Sequence, residues 1–169
     1  MNDTTRTAPT SRRDFLRLAG ATTGSAAMLA GLNRTAAAQG GEPVIIGCPA
    51  PLTGIVAADG IEFRRGLEMA VEEINGMGGI LGRPVEAVFV DTESKGDDAV
   101  IQAAQRLIDR DGASALITGY NLETGTALHD VAADAGIIAM HANTVVVHDE
   151  LVKSDPDRFW GTFQYDPPE

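Results

Sequence analysis

The stretch Val44-Ile45-Ile46-Gly47-Cys48-Pro49-Ala50-Pro51-Leu52-Thr53-Gly54, with Ile61–Met77 behind it, decides the fold of this chain. Pro43–Pro49 is a continuous apolar run with β-branched residues, the pattern of a strand covered on both faces. Ala50–Gly60 carries Pro, Thr and Gly and reads as a loop. Ile61–Met77 then reads as an amphipathic helix. Phe63, Leu67, Ala70, Val71 and Ile74 share one face at helical spacing, while Arg64, Arg65, Glu68, Glu72 and Glu73 take the other. Arg64 and Glu68 are spaced to pair. Gly76, Gly78 and Gly79 supply the stop and a turn.

Downstream the same unit repeats. Pro84–Asp91 reads as a second strand and Asp97–Arg110 as a second helix, with Val100, Ala103, Ala104, Leu107 and Ile108 turned inward. Ser114–Thr118 is a third strand. Glu123–Ala135 is a third helix, with Leu128, Val131, Ala132 and Ala135 inward, and Ile137–Ala142 is a fourth strand. A polar, Asp-rich connection containing Pro156 leads to a fifth strand, Arg158–Phe163. Strands alternating with helices of this length predict an α/β fold, a doubly wound parallel sheet with helices on both faces.

In such sheets ligands bind outside the carboxyl ends of the strands, where strand order reverses. That rule selects three loops: Ala50–Gly60, Gly119–Glu123 and His141–Val145. Helix starts offer free N–H groups and partial positive charge, which suit a carboxylate. The candidate ligand-binding residues are Thr53, Asp59, Asn121, Glu123, Thr124, His141, Asn143 and Thr144, with Gly54 and Tyr120 beside them. Asp59 serves equally as an N-cap, Glu123 equally as a favourable first-turn acid, and His141 equally as a hydrogen-bonded rim residue. His129 and His148 read as surface residues.

Upstream, Ser11-Arg12-Arg13-Asp14-Phe15-Leu16-Arg17 closely matches the twin-arginine export motif. Leu18–Leu32 is weakly apolar, too short and too polar to span a bilayer, and has no polar face for an interfacial anchor. Ala36-Ala37-Ala38 offers a small-residue cleavage site before Gln39. Residues 1–38 are therefore expected to be a signal peptide, and residues 39–169 the exported, periplasmic body with no membrane insertion of its own.

The 169 residues carry a formal net charge of -11 from 13 basic and 24 acidic side chains. The first 38 residues hold five of the basics (Arg6, Arg12, Arg13, Arg17, Arg34) and two acids (Asp3, Asp14), which leaves 8 basic and 22 acidic residues in the body. A body this acidic is repelled by nucleic acid and by anionic lipid. Cys48 stands alone, so no intrachain disulfide forms, and its apolar setting predicts a buried, inert thiol.

Catalytic signatures are missing. The chain has no Gly-x-Ser-x-Gly elbow and no Cys-His pair with an orienting group. No Gly-x-Gly-x-x-Gly follows the first strand and no Walker loop occurs, so no nucleotide cofactor is expected. No His/Cys group has metal-ligand spacing along the sequence.

Ile46-Gly47-Cys48-Pro49-Ala50-Pro51-Leu52-Thr53-Gly54 resembles the opening strand and loop of the branched-chain amino acid and amide-binding proteins of ABC importers. Gly66-Leu67-Glu68-Met69-Ala70-Val71-Glu72-Glu73-Ile74-Asn75, followed by Gly78-Gly79-Ile80-Leu81-Gly82-Arg83, resembles their first helix and glycine-rich turn. Val90-Asp91-Thr92 resembles the acidic end of their second strand. The resemblance runs from Val44 to Asp166. It implies one lobe of a type I, two-lobed Venus flytrap that closes on a solute and docks on a membrane permease. It also implies that Asp59 contacts solute in the first loop. Asn121 to Thr124 then fall in the loop that holds a solute carboxylate, and His141 to Thr144 in the loop that serves the same end.

Asn121-Leu122-Glu123 and His141-Ala142-Asn143-Thr144 depart from the family's hydroxyl-rich loops, which opens amides, ureas and other small polar solutes beside branched-chain amino acids. Because the family's chains are about twice this long, the sequence is expected to be an N-terminal fragment with the second lobe missing. The competing functional readings are a ligand-sensing domain of a receptor or regulator, an exported enzyme of the same fold, and a non-functional truncated product.

Overall fold

The structure, a computed structural model, describes residues 41–121, 126–143 and 146–165. The expected signal peptide and three candidate site residues, Glu123, Thr124 and Thr144, lie outside the described residues.

Among the described residues nine elements follow in order: β1 (Val44–Ala50), α1 (Ala57–Gly76), β2 (Val85–Asp91), α2 (Asp97–Asp109), β3 (Ala115–Thr118), α3 (Ala127–Ala135), β4 (Ile138–His141), α4 (Val147–Ser154) and β5 (Thr162–Gln164). The strands form one sheet in the order β2-β1-β3-β4-β5, and every described pairing is parallel. From β1 the chain steps out to β2, then crosses back over β1 to β3 and continues the same way. Right-handed crossovers therefore put α1 on one face and the later helices on the other. The packing agrees: α1 lies over β2 and β1, whereas α2 packs on α3 and β1.

The core lies between the sheet and the α2–α3 pair. Val100, Ala104 and Leu107 of α2, Leu128 and Ala132 of α3, Leu116 of β3 and Ala139 of β4 form one buried cluster. Leu107, Leu116 and Leu128 are fully buried, and each contributes about 1.5–3 kcal/mol by leaving water. Cys48 is buried and free, and burial pushes its thiol up to about 12, so it stays protonated and inert.

The opposite face is less complete. Phe63, Leu67 and Ala70 of α1 line an apolar concavity of about 520 Å³ with Ile117, Met140 and Tyr165. Within α1 only Gly60 is buried. The helical stripe read from the sequence is real, but among the described residues nothing covers its outer half.

The turn after α1 explains its own composition. Asn75 Nδ2 donates to Val85 O (2.8 Å) and Asn75 Oδ1 accepts from Val85 N (2.7 Å), so one side chain mimics a neighbouring strand and starts β2. Gly79 has φ +74° and a Cβ there would land on the Arg83 carbonyl, so the tight turn requires glycine. Arg83 Nε in turn donates to Glu42 O (2.7 Å), fixing the start of β1.

Four elements differ from the sequence reading. Helix α3 begins at Ala127 with Thr126 as its N-cap, not at Glu123, and residues 123–125 lie outside the described residues. Helix α1 begins at Ala57, four residues before Ile61, because the loop needs fewer residues than its Pro and Gly suggest; its N-cap is Val56, without a side-chain cap bond. Helix α4 stands where the sequence reads as a polar connection. Its eight residues VHDELVKS expose charge on most sides, and a helix this short carries little periodic signal. Strand β5 is Thr162–Gln164, displaced from Arg158–Phe163, because residues 156–160 form turns in which Phe159 is buried.

Candidate functional site

The strand order reverses between β1 and β3, and the carboxyl ends of β1 to β4 meet there. Side-chain hydrogen bonds tie these ends into a platform, with Asn121 at its centre. Asn121 Nδ2 donates to Pro49 O at the end of β1 (3.2 Å) and to Thr118 Oγ1 (2.5 Å). Thr118 Oγ1 itself donates to Pro49 O (2.5 Å). Asn121 Oδ1 accepts from Thr92 Oγ1 beyond β2 (2.9 Å). Asn121 N donates to Asn143 Oδ1 (3.1 Å), and Asn143 Nδ2 donates back to Asn121 O (3.4 Å). Asn121 and Asn143 are only 1% and 2% exposed. Their amides serve the loops' own architecture.

Asp91 does the same for the first loop. Its Oδ1 accepts from Leu52 N (2.9 Å), Thr53 N (3.2 Å) and Glu93 N (2.8 Å), and its Oδ2 accepts from Thr53 Oγ1 (2.7 Å). Burial works to raise this carboxyl, but the Thr53 hydroxyl and the three backbone donors outweigh it and hold it below the ordinary carboxylate value. Ser94 adds a second clamp, accepting from Val56 N (3.3 Å) and donating to Thr53 O (2.8 Å). To reach there, Glu93 and Ser94 both take positive φ, 52° and 55°, a strained geometry that the bonds from Asp91 and Ser94 offset. Gly54, at φ +90°, passes so close that a Cβ would meet Glu93 O at 2.6 Å.

Among the expected site residues, the platform presents Thr53 to solvent, and Tyr120 stands beside it, 48% exposed. Asp59 is exposed in the first turn of α1, inside the helix and not at its cap. Asp91, Thr92, Ser94 and Thr118 were not singled out as site residues. The available signal was Asp91-Thr92, an acid and a hydroxyl closing an apolar strand. A separate polar concavity of about 740 Å³ lies at the sheet edge, where Asp91, Thr92 and Lys95 face Asp98, Gln102 and Arg106 of α2. It is beside the β1/β3 crevice and not in it.

His141 does not face the crevice. Alternation along β4 turns Ala139 and His141 toward the face that carries α3 and α4, and the His141 side chain is fully buried there. His129 and His148, read as surface residues, are buried against it, 0% and 8% exposed. His129 shares the inner face of α3 with Leu128 and Ala132, and His148 is the buried residue of the unforeseen α4. The ring centroids are 4.4 Å apart for His129 and His141, 5.0 Å for His129 and His148, and 5.3 Å for His141 and His148. Burial, then the neighbouring imidazoles, lowers His129 to about 3. Burial and His148 lower His141 to about 4. Burial also lowers His148, against the pull of Asp149.

A family description, periplasmic binding protein, matches residues 43–161. The chain belongs to this family. Its sheet order and its structural neighbours give it the type I periplasmic-binding-protein fold. Similar curated proteins include an amino acid binding protein of Pseudomonas aeruginosa, 36% identical over 97 residues, covering 57% of this chain and 26% of the relative. A Leu/Ile/Val-binding protein homolog 2 of Brucella abortus is 32% identical over 106 residues, 60% of this chain and 27% of the relative. A Silicibacter pomeroyi crystal structure, provisionally named a branched-chain amino acid ABC transporter, superposes with TM-score 0.74 and 82% identity over 75% of this chain and 32% of its own. The Streptococcus pneumoniae substrate-binding protein LivJ, solved with isoleucine, shares the fold at TM-score 0.61 and 24% identity, over 75% of this chain and 34% of its own. The chain thus spans about a quarter of the curated relatives and about a third of the solved ones.

Proposed function

We propose that this chain supplies the N-terminal lobe of the extracytoplasmic solute-binding subunit of an ABC importer for amino acids, amides or similar small polar solutes. The observation that carries this reading is the strand-end platform: side-chain bonds from Asn121 and Asp91 tie together the carboxyl ends of β1, β2, β3 and β4 at the switch point, with Thr53 and Tyr120 exposed. A polar rim at the carboxyl ends of the strands suits reversible capture of a small ligand. Glu123, Thr124 and Thr144, outside the described residues, are further candidate solute contacts in this reading.

In this reading residues 1–38 are a twin-arginine signal peptide, residues 39–169 are part of the N-terminal lobe, the mature subunit works in the periplasm, and its partner is a membrane permease. Among the described residues no helix is long and apolar enough to cross a membrane. The test is calorimetric titration of the longest product of the source gene with leucine, isoleucine, valine, small amides and urea, paired with uptake by a strain lacking that gene. Micromolar binding of one solute, and loss of its uptake in the deletion strain, is the expected result. Binding without any uptake defect would point to a sensor instead.

A further inference from the structure

Three histidines from three different elements converge beneath the platform. His129 comes from α3, His141 from the end of β4 and His148 from α4. One ring nitrogen from each lies within 4.8 Å of the others. Both nitrogens of His129, both of His141, and Nε2 of His148 are buried without a hydrogen-bond partner. We propose that His129, His141 and His148 form a binding site for a divalent transition-metal ion of the zinc, nickel or copper type.

A buried polar atom without a partner destabilises the fold, and five such nitrogens crowd this pocket. The surroundings offer no relief, since Leu128, Ala132 and Ala139 are apolar and fully buried. Ring-to-ring hydrogen bonds satisfy nitrogens only in pairs. A metal ion satisfies three converging lone pairs at once, one from each ring.

The donor set selects the ion. Three nitrogens with no carboxylate or thiolate among them suit zinc, nickel or copper, whereas calcium and magnesium require oxygen. Metal–nitrogen bonds of about 2.0–2.1 Å in tetrahedral array put ligand nitrogens roughly 3.4 Å apart. The ring nitrogens, within 4.8 Å of one another, must therefore close in. His148, the least buried of the three at 8% exposed, stands nearest the rim. Asp149 Oδ1 lies 4.0 Å from His148 Nδ1, placed to orient that ring by a short adjustment. The bound ion would pin the eight-residue α4 to α3 and β4.

The full chain, purified on a tag without histidine and stripped with a chelator, is titrated with Zn2+, Ni2+ and Cu2+, with Mg2+ as the control. Calorimetry, elemental analysis and thermal shift should show one transition-metal ion per chain at micromolar affinity or tighter, a raised melting temperature, and no response to Mg2+. Cu2+ should give a paramagnetic resonance spectrum with nitrogen splitting. His148→Ala, at the rim, should weaken binding by more than about tenfold. His129→Ala reaches deeper into the core, so the wild-type titration and the rim variant keep the test decisive if that protein does not fold. No binding to the stripped wild-type chain, or equal affinity in His148→Ala, overturns the site.

Discussion

Asn121 and Asn143 hold each other from the ends of β3 and β4: Asn121 N donates to Asn143 Oδ1 at 3.1 Å, and Asn143 Nδ2 returns a bond to Asn121 O at 3.4 Å. Both are buried, and Asn121 also reaches β1 and β2 through Pro49 O and Thr92 Oγ1. Truncating either leaves buried donors and acceptors unpaired. Asn143→Ala and Asn121→Ala are each expected to lower unfolding free energy by about 1–3 kcal/mol, with Asn121→Ala the worse. Urea denaturation followed by circular dichroism measures it. Reduced solute affinity with unchanged stability would instead make these amides solute contacts.

Asp91 gives the first loop a pH dependence whose sign follows from its hydrogen bonds. Its carboxyl is held below its ordinary value of 3.8 in the folded chain. The contribution is therefore fully present above the unfolded value and is lost as pH falls through the lower folded value. Near neutral pH the loop should be insensitive to pH, and it should loosen only as pH falls through that lowered value and the carboxylate takes a proton. Asp91→Asn should loosen it at every pH, removing the charge-assisted bond to Thr53 Oγ1. Hydrogen exchange at the amides of Leu52 and Thr53 reports this directly. Equal protection in wild type and Asp91→Asn would exclude the carboxylate as the clamp.

The layout of the fold was legible because each βα unit writes its own period. Of the stripe Val100, Ala103, Ala104, Leu107 and Ile108, the first four are the buried residues of α2 and Ile108 is half-buried, and Arg64 pairs with Glu68 at 2.7 Å as their spacing predicts. The site was only partly legible. The switch-point rule located Asn121 and Asn143, but residue type does not reveal whether an amide faces ligand or backbone. His129 and His148 were misread because burial of a polar side chain depends on a partner distant in sequence. Here that partner is His141, and the helix that brings His148 to it carries almost no periodic pattern.

Export should depend on the arginine pair. Arg12→Lys together with Arg13→Lys keeps the charge but removes two planar guanidinium forks. Unprocessed precursor is expected to accumulate in the cytoplasm, as shown by fractionation and immunoblotting. Normal processing of the double variant would rule out the twin-arginine route. Glu72, exposed on the outer face of α1, is the matched control: its substitution should change neither export nor solute binding.

Residues 39–169 taken alone should bind solute weakly. The platform presents Thr53 and Tyr120 to open solvent, and among the described residues nothing faces them from across a cleft. Ligand sites of high affinity bury most of the ligand surface. A site closed from one side repays little of the entropy lost on association. Affinity for amino acids, amides or urea is therefore expected to be no tighter than about millimolar, equivalent to about -4 kcal/mol. The half-covered stripe of Phe63, Leu67 and Ala70, with Ile117 and Met140 beside it, should also bind a hydrophobic fluorescent dye and favour self-association. Calorimetric titration of this segment, with dye fluorescence and light scattering, checks both expectations. A micromolar solute would show that one wall suffices, and a monodisperse segment that ignores the dye would show that the apolar stripe is covered.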